Sequence, residues 1–151
     1  VEVRRPAVPV VHNRFVETFD DPARIRQALL GPVQGDAAYL SAVGLINDGR
    51  YEDAISTLRT AEQAFGPHPD VLTYLGFANR KLGRHDEAER YYRAALAIAP
   101  EHRGATEYLG ELRVEQGNLP EARRLLARLE TLCAFGCAEA DELRRWVEEA
   151  S

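Results

Sequence analysis

The sequence predicts an all-α fold: a right-handed solenoid of three helical hairpins with a C-terminal capping helix and an N-terminal arm. Three observations carry this. Gly49, Gly83 and Gly117 are each 34 residues apart, and Ala54, Ala88 and Ala122 keep the same interval, so one supersecondary unit is used three times. Apolar residues recur at spacings of three and four on both sides of the glycines, as in Leu72, Leu75, Ala78 and Leu82 before Gly83, and Ala88, Tyr91, Tyr92, Ala95, Leu96 and Ile98 after it. That period belongs to amphipathic helices, and the glycine marks the turn between them. Apolar residues make up 45% and charged residues 28% of the 151, which suits one folded domain and not a disordered chain.

Each element follows from local chemistry. Residues 1–21 are punctuated by proline and apolar in patches, as in Pro6-Ala7-Val8-Pro9-Val10-Val11, and are expected to form an extended arm. Asp21 as N-cap and Pro22 in the first turn open a short helix, which with a linker fills residues 22–34. The repeats are expected over 35–68, 69–102 and 103–136. Gly66-Pro67 and Pro100 close the second helices of the first two units, since proline cannot continue the hydrogen-bond ladder. The small residues Gly76, Gly110, Ala88 and Ala95 sit where paired helices must approach closely. A larger residue at Ala88 is expected to cost about 1–3 kcal/mol through overpacking. Residues 137–151 supply the capping helix that the last repeat requires: Ala140, Leu143, Val147 and Ala150 form one stripe, with Trp146 beside it.

Composition excludes several functions. No apolar run approaches the roughly 18 residues a spanning helix needs. The net charge of -5, from 24 acidic and 19 basic residues, makes nucleic acid an unsuitable partner. Lys81 is the single lysine among the basic residues, a bias that fits GC-rich coding in a bacterial source and says nothing of function. The chain starts at Val1 and contains no Met, which leaves room for a removed leader or initiator residue. There is no Gly-rich phosphate loop, no HExxH and no GxSxG, so neither an enzyme nor a bound cofactor is expected. His85 and the Tyr91-Tyr92 pair are read as packing residues.

The repeat resembles the tetratricopeptide repeat. The middle unit carries Leu75-Gly76, Gly83, Ala88, Tyr92, Ala95 and Pro100 at that family's signature positions, with Leu72 and Asn79 where aromatics are common. Unit three keeps Leu109-Gly110, Gly117, Ala122 and Leu126; unit one keeps Gly49, Tyr51, Ala54 and Ala61 but has Ser41-Ala42 for Leu-Gly. The resemblance implies that first helices line a concave face through the second, fifth, ninth, twelfth and thirteenth positions of each unit. Carried over, these are Asp36, Tyr39, Val43, Ile46 and Asn47; Asp70, Thr73, Phe77, Arg80 and Lys81; and Gly104, Glu107, Glu111, Val114 and Glu115. Tyr39, Val43, Ile46 and Phe77 are apolar where a wet face would carry charge, which suggests a binding patch or a seat for the arm. Glu107, Glu111 and Glu115 share one helix face four residues apart. The alternative is a solvated face partly neutralised by Arg103, Arg80 and Lys81.

The expected partner is therefore a protein or peptide segment with an apolar anchor and a basic flank. Tail-binding members of the family hold a terminal carboxylate with basic groups; the residues here do not match them. Cys133 and Cys137 bracket an elbow of three residues before the capping helix. A disulfide, two free thiols, and a soft-metal or redox site that borrows His102 all remain open there. Two further readings accompany the interaction module: a metal or thiol-redox accessory protein acting through Cys133 and Cys137, and an assembly subunit that self-associates through its arm. A disulfide would favour a periplasmic or other extracytoplasmic location over the cytoplasm.

Overall fold

A computed structural model describes the backbone of residues 33–151 and the side chains of residues 37–151. The expected arm and nearly all of the expected 22–34 segment lie outside the described residues. Seven helices are described: α1 Val33–Asn47, α2 Tyr51–Phe65, α3 Pro69–Lys81, α4 His85–Ile98, α5 Arg103–Glu115, α6 Leu119–Leu132 and α7 Ala138–Glu149. Among the described residues the fold is the all-α hairpin repeat expected, with no strand. Helix α1 begins at Val33, so residues 33 and 34, expected in a linker, are already helical.

The chain divides after Pro67 into two compact units, Val1–Pro67 and His68–Ser151, where the composition had suggested one domain. In the first, α1 pairs with α2, burying Ala42, Val43 and Ile46 from α1 with Ala54, Ile55, Leu58 and Ala61 from α2. In the second, the α3–α4 and α5–α6 hairpins stack, and α7 packs on both α5 and α6.

The glycine that sets the period has the expected conformation: Gly83 has φ +78, with Gly49 at +74 and Gly117 at +73. This left-handed region strains any residue with a Cβ. In each case the chain reverses within three residues and the next helix begins on an acidic first turn, as with Asp86 and Glu87 in α4. The first helices of repeats two and three open differently. His68 Nδ1 accepts the Asp70 N–H at 3.1 Å, and His102 Nδ1 accepts the Ala105 N–H at 3.0 Å. Each imidazole thus caps a helix, a task usually given to Ser, Thr, Asp or Asn.

Close packing explains the small residues. A Cβ on Gly76 would lie 2.5 Å from Tyr92 Cε1, and one on Gly110 would lie 2.5 Å from Leu143 Cδ2. The same repeat position therefore admits an aromatic from the partner helix in one unit and a leucine from the capping helix in the next. Leu143 belongs to a buried cluster with Ala122, Leu129, Ala140 and Val147, so α7 closes the last repeat as expected. Between repeats, Arg113 of α5 grips Glu89 of α4 with two N–H groups at 2.6 and 3.0 Å. Arg93 adds a third contact at 2.7 Å. Hydrogen bonds from Arg113 and Arg93 hold the Glu89 carboxyl down at about 2.

Two outcomes follow. Gly110→Ala should lower unfolding stability by about 1–3 kcal/mol through overpacking against Leu143, read as a drop in urea midpoint. Because the folded-state pKa of Glu89 is depressed, its contribution is full above about 4.5 and is lost as pH falls toward about 2. Glu89→Gln should flatten the stability profile across that acid window. A variant profile parallel to that of the parent protein would refute the assignment.

Candidate functional site

The first helices of repeats two and three place Arg80 at the centre of unit two. Its side chain is 1% exposed, although Arg80 lies one residue from the C-terminus of α3. From the last two turns of α5, Glu111 Oε2 and Glu115 Oε1 accept from its Nη2 and Nη1 at 2.5 and 3.2 Å. The two carboxylates stand four residues apart, so one guanidinium fork serves both. The guanidinium carbon also lies 5.5 Å from the centroid of Phe77, 5.7 Å from Tyr108 and 5.5 Å from Trp146. Phe77 and Tyr108 stack on each other at 4.9 Å. Three aromatic rings and two carboxylates, drawn from α3, α5 and α7, thus enclose one cation. Burial pushes the Arg80 pKa down, but Tyr92, Glu111 and Glu115 outweigh it and hold it above the ordinary value. Burial likewise pushes the Tyr92 phenol up.

The positions singled out in the sequence divide into an interior and a rim. In unit two, Arg80, Glu107 and Glu111 are buried, with Glu107 at 0% and Glu111 at 4% exposure. Phe77 is partly exposed, and Lys81 and Glu115 are open to solvent. The acidic row expected on a wet face is therefore mostly internal, with only Glu115 at its edge. The three cations expected to neutralise that row are also separated. Arg80 takes Glu111 and Glu115, Lys81 Nζ lies 5.4 Å above the Phe77 ring, and Arg103 lies 3.8 Å from Cys133 Sγ. In unit one, Tyr39, Val43 and Ile46 are buried and Asn47 is exposed. His85 is half-buried as expected, with Nε2 3.6 Å from Glu115.

Residue chemistry missed Tyr108 and Trp146 as partners of Arg80. The available signal was the pair of glutamates on α5 facing an arginine on α3, which cannot be buried without aromatic or aliphatic cover. It placed Asp70 on the first-helix face but missed its burial and its pairing with His102, whose Nε2 lies 2.7 Å from Asp70 Oδ1. Since His102 Nδ1 accepts the Ala105 N–H, Nε2 carries the proton and donates to Asp70. The dyad resembles a catalytic His–Asp pair, but both imidazole nitrogens are committed to structure.

Cys133 and Cys137 form a disulfide, with Cα atoms 5.7 Å apart. Cys133 caps the end of α6 and Cys137 the start of α7, as the repeat register predicts. With both sulfurs bonded to each other and the His102 ring engaged elsewhere, the three residues are not assembled as metal ligands. No group of three or more His, Cys, Asp or Glu is arranged to hold a metal among the described residues. Nor, among them, is any helix long and apolar enough to cross a membrane.

This arrangement of hairpins is a known one. Two family models described as tetratricopeptide repeat match residues 39–103 and 79–131, together more than half of the chain, which belongs to the tetratricopeptide repeat family. It is 32% identical over 126 residues to the probable biofilm formation methyltransferase WspC of Pseudomonas putida, covering 82% of this chain and 29% of that protein. The chain thus spans under a third of that relative's length. Among solved structures, the complex of the TPR2B domain of yeast Sti1 with pHsp70 superposes with a TM-score of 0.71 at 15% identity, covering 79% of this chain and 97% of that one. The Yersinia enterocolitica type III secretion chaperone SycD, in complex with a peptide of the translocator YopD, gives 0.68 at 21% identity, covering 80% and 92%.

Removing one member of the Arg80 cluster should be worse than removing the pair. Arg80→Leu leaves Glu111 buried without its cation and should cost about 3–5 kcal/mol. Arg80→Leu with Glu111→Leu should recover much of that loss in the same denaturation measurement. Equal losses in the single and double variants would mean that the cluster acts by packing alone.

Proposed function

We propose that the protein is a non-catalytic interaction module that binds a partner segment on the exposed rim of the first-helix face of unit two. The observation that carries this reading is the division of the Arg80 cluster into a fixed interior and an open edge. Phe77, Lys81 and Glu115 are each held by that interior and remain accessible. A half-open aromatic ring backed by a buried cation is a preorganised apolar seat, and it loses little entropy on binding. Glu115, which shares its carboxylate with Arg80 and His85, gives the seat an acidic margin. A ligand with an apolar anchor and a basic flank meets both needs. Arg80 and Glu111 act through this seat by fixing it, and they do not touch the ligand.

Family membership supports the interaction role, since two solved structures of the same fold are complexes, one with pHsp70 and one with a peptide of YopD. The methyltransferase activity in the name of the Pseudomonas relative belongs to a protein more than three times the length matched here. No comparable chemistry is proposed for this chain. Self-association through residues 1–21 concerns residues outside those described. The disulfide supports an extracytoplasmic site of action, because such bridges rarely persist in a reducing cytosol.

Trp146 is the single tryptophan of the chain, and it contacts Arg80 behind the seat, so it reports occupancy without a label. A panel of synthetic peptides with one aromatic or leucine anchor and two flanking arginines should change its fluorescence saturably. Matched peptides with flanking aspartates should not. Phe77→Ala with Glu115→Lys should weaken the response by roughly 30-fold or more while leaving helicity intact. An unchanged response in the double variant would place binding elsewhere.

A further inference from the structure

The disulfide closes a loop whose geometry the interaction role of unit two does not use. Cys133 is buried at the end of α6, where its N–H donates to Leu129 O at 2.9 Å. The Gly136 N–H then donates back to Cys133 O at 2.7 Å, and Gly136 takes the left-handed conformation with φ +88. Cys137 caps α7 in extended backbone. The loop is thus tied three times: by the turn hydrogen bond, by the sulfur bridge and by the helices on either side. Its crest carries Phe135, which is fully exposed and the most exposed large apolar residue described.

A bridge between cysteines four residues apart closes so short a loop that it removes little freedom from the unfolded chain. Its main effect is local, holding the crest in one conformation. An exposed phenylalanine on a rigid crest is costly in water and ready for insertion, since the ordering that binding would demand has already been met. Arg103 reaches the bridge at the foot of this crest. Its Nη1 lies 3.8 Å from Cys133 Sγ, the side chain is exposed, and it makes no ion pair among the described residues.

We propose that the Cys133–Cys137 loop is a docking knob that inserts Phe135 into an apolar pocket of a partner protein, with Arg103 pairing with a carboxylate on the pocket's rim. This surface is separate from the Phe77–Glu115 seat and has the opposite charge preference: the seat selects a basic ligand and the knob an acidic one. A lipid surface fits less well. One aromatic side chain with one cation gives weak interfacial binding, and a chain of net charge -5 is repelled by anionic lipid.

The test replaces Phe135 with p-benzoylphenylalanine in the intact, oxidised protein and irradiates it in cells of its source. The same photoprobe at exposed Ser56 serves as control. A protein crosslinked from position 135 and not from position 56 is identified by mass spectrometry and purified, and its affinity is measured. The proposal expects the crosslink to map to an apolar pocket bordered by Asp or Glu. It also expects Phe135→Ala to weaken binding roughly 30-fold and Arg103→Glu to weaken it in a salt-dependent way. Phe77→Ala with Glu115→Lys should leave this affinity unchanged, which separates failure of the knob from failure of the seat. Cys133→Ser with Cys137→Ser should slow association while the fold, followed by circular dichroism, is retained. The proposal is overturned if no protein crosslinks from position 135, or if the crosslinked protein binds Phe135→Ala as tightly. Phe135-dependent sedimentation with phosphatidylglycerol vesicles would also overturn it, in favour of a lipid surface.

Discussion

A guanidinium cannot be buried alone, and much of unit two follows from that constraint. Desolvating Arg80 is tolerable only if both of its forks meet carboxylates and its faces meet polarisable rings. The chain meets those demands from three helices. Phe77 lies one turn back on α3, Tyr108, Glu111 and Glu115 come from α5, and Trp146 from α7. Ion pairs of this kind add little net stability compared with an apolar core of the same volume, but they tolerate few alternative arrangements. Rotating α5 about its axis by one residue would remove both glutamates from Arg80. The cluster therefore fixes the register between repeats two and three, and it fixes the azimuth of the capping helix through Trp146.

Packing acts with this electrostatic lock. Gly110 admits Leu143 so closely that a Cβ in place of its hydrogen would force Leu143 to shift, which brings α7 near enough for Trp146, three residues further on, to reach Arg80. Gly76 does the same for Tyr92, whose ring is buried beside Tyr108 at 6.2 Å. On α4 and α5, the Arg113–Glu89 pair spans the same two repeats. It is partly open to solvent, so screening limits its strength. It acts as a second register mark, while the apolar contacts around Leu129 and Leu143 supply most of the free energy.

The hairpin fold was legible because its signals are local and repeated. A glycine required at positive φ recurs at 34-residue intervals, and the helical period on either side is unbroken. The elbow cysteines were legible in position for the same reason, although spacing alone does not decide whether they are bonded. The candidate site was less legible. Position within a repeat assigns a residue to a face, but burial depends on what lies against that face. Glu107 and Glu111 have the sequence signature of a wet acidic stripe, yet both are interior, and Glu111 is met there by an arginine 31 residues away. His68 and His102 are cap residues of a type no propensity scale favours, and His102 is held in that role by Asp70 from the preceding repeat. The Arg80–Glu111 and Asp70–His102 pairs are long-range, invisible to any window of a dozen residues.

The same geometry explains how a face full of buried charge can serve recognition. An open groove lined by mobile acids would bind basic segments loosely and would lose ordering entropy for each side chain engaged. Here the acids are already ordered by Arg80, and the residues left at the edge cannot relax independently. Phe77 is stacked on Tyr108 and crossed by Lys81, and Glu115 is tethered to Arg80 and His85. A ligand on this edge, as proposed, would meet a surface already ordered by folding, and its selectivity would depend on shape and charge placement more than on area. In the proposed role the interior cluster would contribute at a distance of one side chain, by deciding where the exposed groups stand.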